Sequence, residues 1–152
     1  MENKVQAKRV NVVSLKVVKE SSVLYETRKI SNPYDVYRLV KNFLIDSDRE
    51  KSVVACLDTK NQPVSIEVVS VGIVNSAIVH PREVFKTIAI MNESKIICFH
   101  NYPSGNVAIS KEDESITEKL IKSGEVLRIQ LVDHIIVGDN DKYFSFKGNN
   151  KV

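Results

Sequence analysis

The spacing of apolar positions changes along the chain, and each change predicts an element. Residues 10–18 (Val-Asn-Val-Val-Ser-Leu-Lys-Val-Val) and 23–30 (Val-Leu-Tyr-Glu-Thr-Arg-Lys-Ile) are rich in β-branched residues and partly alternate, which predicts two strands across the polar stretch 19–22. Asn32 is placed to cap a helix with Pro33 at its first position. Val36, Leu39, Val40, Phe43 and Leu44 then recur at helical spacing, so a helix is expected over 33–45. The apolar run 52–58 reads as a central strand, and a polar turn at 59–62 leads to a second strand over 64–71. Pro81 opens a helix to Met91 with Val84, Phe85, Ile88 and Ala89 as its stripe. Residues 95–100 predict a strand with Ile96, Cys98 and His100 on one face. After a glycine-bearing loop at 101–109, Ser110 and Asp113 resemble a capping box, opening a helix over 111–127 despite Gly124. Strands at 131–137 and 143–146 flank a turn at 138–142, and 148–152 reads as a frayed tail. The predicted fold is a single α/β domain: a mixed central sheet flanked by helices, with an N-terminal strand pair.

One domain accounts for 152 residues, and at this length a core needs neither metal nor disulfide. With 43% hydrophobic and 27% charged residues, a disordered or low-complexity protein is excluded. No apolar stretch approaches the roughly 18 residues of a membrane span. Glu2, Lys4, Lys8 and Arg9 interrupt the start where a signal peptide would carry its apolar segment, so a cytoplasmic location is expected. Cys56 and Cys98 give no disulfide framework and read as buried thiols. The net charge of +3 comes from residues 1–50, where ten Lys/Arg face seven Asp/Glu as scattered charges. A pI of 8.8 falls short of the value above about 9 usual for nucleic-acid binders, so composition permits DNA contact without calling for it.

The segment 100–113 holds the candidate chemistry. His100 ends a buried strand at a loop, Asp113 stands in the first turn of the next helix, and both side-chain types are good zinc ligands. Ser104 offers a hydroxyl and Gly105 a close backbone approach. Each also has a plainer account: a hydrogen-bonded boundary histidine, a capping carboxylate and a common turn dipeptide.

Taken together these residues carry a resemblance. The run His100-Asn101-Tyr102-Pro103-Ser104-Gly105, followed by Ser110-x-x-Asp113, resembles the His-x-His-Pro-Ser-Gly…Ser-x-x-Asp signature of JAB/MPN (JAMM) metalloenzymes, in the version of the RadC-like domain. Arg49-Glu50 before the strand at 53, and the runs 71–76, 80–85 and 131–138, are similar to the same family, although Asp48 stands where the family usually has Ser. The resemblance implies a JAB/MPN-like (cytidine-deaminase-like) domain over 32–147, with 1–31 as a strand extension packed on it and 148–152 as the tail. The helix-hairpin-helix region that precedes this domain in full-length RadC proteins has no counterpart in 1–31. The family's active site, carried over, implies zinc held by His100 and Asp113. Glu50 would act as general acid/base on zinc-bound water, and Ser104 would donate to a tetrahedral oxyanion.

One position departs from the family pattern. Tyr102 stands where the second ligating histidine is expected, and a neutral phenol is a poor zinc ligand at neutral pH. Cys98 reads as a core thiol and not as a replacement ligand; His80 and His134 already belong to the family pattern, with His134 expected as a paired core or rim histidine. Glu83 is a second carboxylate to set beside Glu50. The expectation is a RadC/JAMM-fold protein with a degraded zinc site, weak or no hydrolase activity, zinc weakly held or absent, and a binding or scaffold role. A zinc-dependent peptide or isopeptide hydrolase that uses Tyr102 as an unusual ligand is the alternative, and a DNA-associated repair accessory module is the third reading. The expected partner is a protein or peptide, with DNA and a second copy of the chain as further candidates and no membrane.

Overall fold

The structure is a computed structural model that describes residues 3–44, 49–71, 80–102 and 107–152. Its first regular element is helix α1 (Pro33–Leu44), which begins as its sequence dictates. Asn32 Oδ1 accepts from the Asp35 N–H at 3.0 Å, and the Asp35 carboxylate accepts from the Ser31 N–H at 2.9 Å. Then follow β1 (Lys51–Leu57), β2 (Pro63–Val71), α2 (Pro81–Met91), β3 (Lys95–Asn101), α3 (Lys111–Leu127), β4 (Gln130–Val137) and β5 (Tyr143–Ser145). The five strands form one mixed sheet in the order β2-β1-β3-β4-β5, with β3 and β4 parallel and the other neighbours antiparallel. Parallel β3 and β4 need a crossover, and α3 supplies it. Ile45, Ser104 and most of the run 71–76 lie outside the described residues.

Alternation along the central strands builds a core on each face. Val53, Ala55, Leu57, Ile97 and Phe99 pack against Val36, Tyr37 and Val40 of α1. Val54, Cys56, Ile96 and Cys98 face Val84, Phe85 and Ile88 of α2 and Leu120 of α3. β4 breaks its own alternation. Ile96 pairs with Leu131 but Ile97 with Asp133, leaving Val132 as an extra residue. Such a bulge re-aims everything beyond it: Leu131 belongs to the α2–α3 face, whereas Ile135 and Val137 belong to the α1 face. Among the described residues no helix is long and apolar enough to cross a membrane.

The expected N-terminal strands do not form. Residues 3–29 contain no helix or strand, and every residue from 3 to 24 is exposed. β-branched composition favours a strand, but a lone hairpin is marginal in water without a third strand or a helix to cover it. The chain joins the body at Tyr25, which packs against the α1-side core, and at Ile30, which is buried and donates its N–H to the Asn61 carbonyl at 2.9 Å. At the other terminus, the expected fraying gives way to turn hydrogen bonds: Gly148 N–H donates to Ser145 Oγ at 2.9 Å and Lys151 N–H to the Phe146 carbonyl at 2.8 Å.

Cys56 and Cys98 are buried free thiols, and burial pushes both above the ordinary thiol range. Since thiolate is the reactive form, iodoacetamide at about pH 8 is expected to leave both unmodified in the folded protein and to label both in denaturant. Rapid native labelling of either would show that the core under α2 and α3 opens.

Candidate functional site

His100 and Asn101 are the last two residues of β3, and Asp113 is in the first turn of α3, so strand end and helix start meet. α3 begins with a complete capping box: Ser110 Oγ accepts from the Asp113 N–H at 3.1 Å, and Asp113 Oδ2 accepts from the Ser110 N–H at 2.8 Å. Asp113 is therefore fixed by the helix it opens. The bulge in β4 brings His134 to the same place, with its Nε2 2.9 Å from His100 Nδ1.

The hydrogen bonds order the protons. Thr117 donates its hydroxyl proton to the Asp113 carbonyl at 2.8 Å, so its oxygen accepts from His134 Nδ1–H at 2.6 Å. His134 Nε2 is then an acceptor and His100 Nδ1–H its donor. The other nitrogen of His100, Nε2, lies 3.2 Å from Asp113 Oδ1. Tyr102 donates its hydroxyl to Asp113 Oδ2, and its ring meets that of His100 edge-on at 5.2 Å. His134 also stacks on Phe146, with ring centroids 4.7 Å apart.

These contacts set the titration of the group. Burial pulls the His134 imidazole down to about 3, with His100 adding to the effect, so His134 is neutral. Burial pushes the Asp113 carboxyl up, but hydrogen bonds from His100, the Ser110 N–H and Tyr102 outweigh it and hold the group well below the usual carboxylate range. Burial, then the hydrogen bond to Asp113, pushes the Tyr102 phenol well above its ordinary value.

His100 is oriented as metal-binding histidines are, one nitrogen held by a second residue and the other turned inward. The set stops there. Asp113 Oδ1 faces His100, and Oδ2 accepts from both Tyr102 and Ser110. A phenol that keeps its proton is a donor to Asp113 and not a ligand. Among the described residues, no group of three or more His, Cys, Asp or Glu is arranged to hold a metal ion. A catalytic zinc takes three protein ligands and a water, and the described residues do not fit one.

A cavity of about 880 Å³ opens beside this network, lined on its polar side by Glu50, His100, Tyr102 and Asp113 and on its apolar side by Val54, Val84, Ile116 and Leu120. Glu50 is buried immediately before β1. Glu83 is absent from that lining and pairs instead with Lys86 at 3.1 Å, both half-exposed. Cys98 contributes to the wall from within the core, and His80, an exposed residue at the start of α2, lines the same cavity. Ser104 lies outside the described residues.

Sequence reasoning missed two supporting residues. Thr117 joins His134 to the Asp113 backbone; its signal was its place one helical turn after Asp113, on the same face. Asn101 is buried; its Oδ1 accepts from the Lys51 N–H at 2.7 Å and its Nδ2 donates to the Arg49 carbonyl at 3.1 Å. Those two bonds bracket Glu50 and fix its backbone next to the site. Nothing in the local sequence marks that role.

Comparison with known proteins gives the family. A family model described as the RadC-like JAB domain matches residues 30–151. A UPF0758 protein of Methanosarcina mazei is 46% identical over 128 residues, covering 84% of this chain and 56% of the relative. Another from Clostridioides difficile is 48% identical over 121 residues, 80% of this chain and 51% of the relative. A third, from Chlorobaculum parvum, is 43% identical over 120 residues, 79% and 54% respectively. The chain thus spans about half the length of these curated relatives. With a family model matching nearly all of the ordered body, the chain belongs to the RadC-like JAB domain family.

Proposed function

We propose that this chain is a RadC-family domain whose zinc-hydrolase site has become a hydrogen-bonded polar cluster, and that the adjoining cavity binds a peptide or protein segment without cutting it. The observation that carries this reading is the Tyr102 hydroxyl on the Asp113 carboxylate, at the position where the family pattern has its second ligating histidine. Charge-assisted hydrogen bonds contribute roughly 1.5–3 kcal/mol each, and a cation entering here would have to displace those on Asp113 while gaining two ligands. The half-apolar, half-polar cavity suits an extended peptide, whose side chains meet the Val84–Leu120 wall while its amides meet the polar rim. Glu50, His100 and Asp113 are retained in this reading as hydrogen-bonding groups for that ligand.

Zinc content tests it. Protein purified and dialysed without chelator is expected to hold well below one equivalent of zinc by elemental analysis, and to leave peptide and isopeptide substrates uncut. One tightly held zinc per chain, released by Tyr102→Phe, would instead establish the hydrolase, with Tyr102 as its third ligand and Glu50 as its base.

A further inference from the structure

We propose that residues 10–18 form an exchange arm that adds as a strand to the free edge of β2 in a second copy of this chain. The arm is made for a sheet but has none of its own. Val10, Val12, Val13, Leu15, Val17 and Val18 are all exposed, Val12 completely and Leu15 at 75%. In an extended chain Val13, Leu15 and Val17 share one face, which gives the segment an apolar side. Six apolar β-formers in nine residues, left in water, are a large unspent driving force for strand addition.

The acceptor is at hand. Among the described strands β2 is an outer one, nine residues long, and its outward backbone groups have no strand beside them. Val64 and Val68 on it are each 44% exposed, and Ile66 between them is only partly buried. The other outer strand, β5, has three residues and is too short for the same purpose. At about 3.3 Å per residue, arm and β2 span the same length.

Charge selects a copy of the same chain as the occupant. Residues 3–19, the arm with its flanks, carry Lys4, Lys8, Arg9, Lys16 and Lys19 and no acid; with a chain total of +3, the residues outside 3–19 sum to −2. The arm thus complements the body and repels other arms. Nucleic acid would match the cations but leave the apolar side in water.

The root of the arm directs it outward. Tyr25 and Ile30 are fixed on the body, while Arg28 takes a left-handed conformation (φ 66°) and the Lys29 N–H donates to the Thr27 carbonyl at 2.8 Å. This turn sits beside Asn61, two residues before β2, and every residue from 3 to 24 is exposed. An arm rooted next to the edge that accepts its counterpart gives a closed, two-fold exchange.

Mass measured by light scattering after gel filtration, across about a hundredfold range of concentration, gives the test. Wild type is expected to be a dimer that dissociates on dilution. Leu15→Lys in the arm and Val68→Lys on the edge should each weaken it at least about tenfold while leaving the circular dichroism and melting of the diluted monomer unchanged, since both positions are exposed. Mixing the two variants should restore dimers, because one arm and one edge remain intact in the mixed pair. A monomer at every concentration overturns the proposal, as does a dimer indifferent to both substitutions or a mixture that stays monomeric. Salt-sensitive retention of the monomer on duplex DNA, lost in Lys8→Glu/Lys16→Glu, would also overturn it and give the arm to nucleic acid.

Discussion

Tyr102→His is expected to raise zinc affinity by about a hundredfold or more, by turning a two-ligand remnant into a three-ligand site. His100 Nε2 already faces Asp113 Oδ1 at 3.2 Å, its other nitrogen is held by His134, and the capping box fixes Asp113. Tyr102 reaches the same carboxylate from two residues along. An imidazole there is shorter than a phenol and would stop short of Asp113, opening the gap that zinc spans with Zn–N distances of about 2.0–2.1 Å. Calorimetric titration of wild type and Tyr102→His measures the gain, and His100→Ala in the revertant should abolish it. A revertant that binds no better than wild type would mean that the chain between His100 and Ser110 no longer presents position 102 to the metal, and the degraded-site reading would lose its main support. Activity is a separate matter, because a displacement of about 1 Å in a reacting group can cost a hundredfold.

The second large effect lies far from the site. Gly124→Ala should destabilise the fold by about 2–3 kcal/mol, lowering the melting temperature by about 5–10 °C. Near the end of α3, a Cβ on residue 124 would stand 2.2 Å from the backbone oxygen of Ile129. Backbone cannot swing aside as a long side chain can. The same two residues are joined by the Ile129 N–H, which donates to the Gly124 carbonyl at 2.8 Å, so the turn from α3 into β4 is built on this close approach. Alanine's better helix propensity returns only about 1 kcal/mol of the overlap cost. Thermal or denaturant unfolding measures the balance, and an unchanged or raised stability would show that the α3–β4 turn relaxes freely.

Gly124 also illustrates what the sequence made legible. Read along the helix it is a weak point; its purpose appears when Ile129, five residues on, comes back across it. The helices at 81–91 and 111–127 match the structure to the residue because Pro81 and the Ser110–Asp113 box mark their starts locally. The N-terminal strands failed for the opposite reason: a strand is stable only with a neighbour, and composition does not say whether one is present. At the site, the convergence of His100, Tyr102 and Asp113 followed from a short motif spanning one strand end and one helix start. His134 was legible as a paired histidine, but its partner was not, since the pairing depends on the parallel register of β3 and β4. Thr117 and Asn101 act across elements that only folding brings together.

The unpaired residue in β4 gives that strand a place where it can lose a residue without changing the faces of its neighbours. Replacing Val132 by another residue of similar shape keeps the pairing of Ile97 with Asp133 and of Cys98 with His134. Deleting it would leave Leu131 opposite Ile96 and Asp133 opposite Ile97 as consecutive pairs, so His134 would stay on the face of His100, whereas deleting a residue within 134–137 would carry the residues beyond it onto the opposite face. The turn at 138–142, which closes with Gly138 and Lys142 hydrogen-bonded at 2.9 Å, bears no such constraint from the site. Among descendants of this sequence, insertions and deletions should therefore collect in that turn, deletions also at Val132, and both should be purged from 134–137.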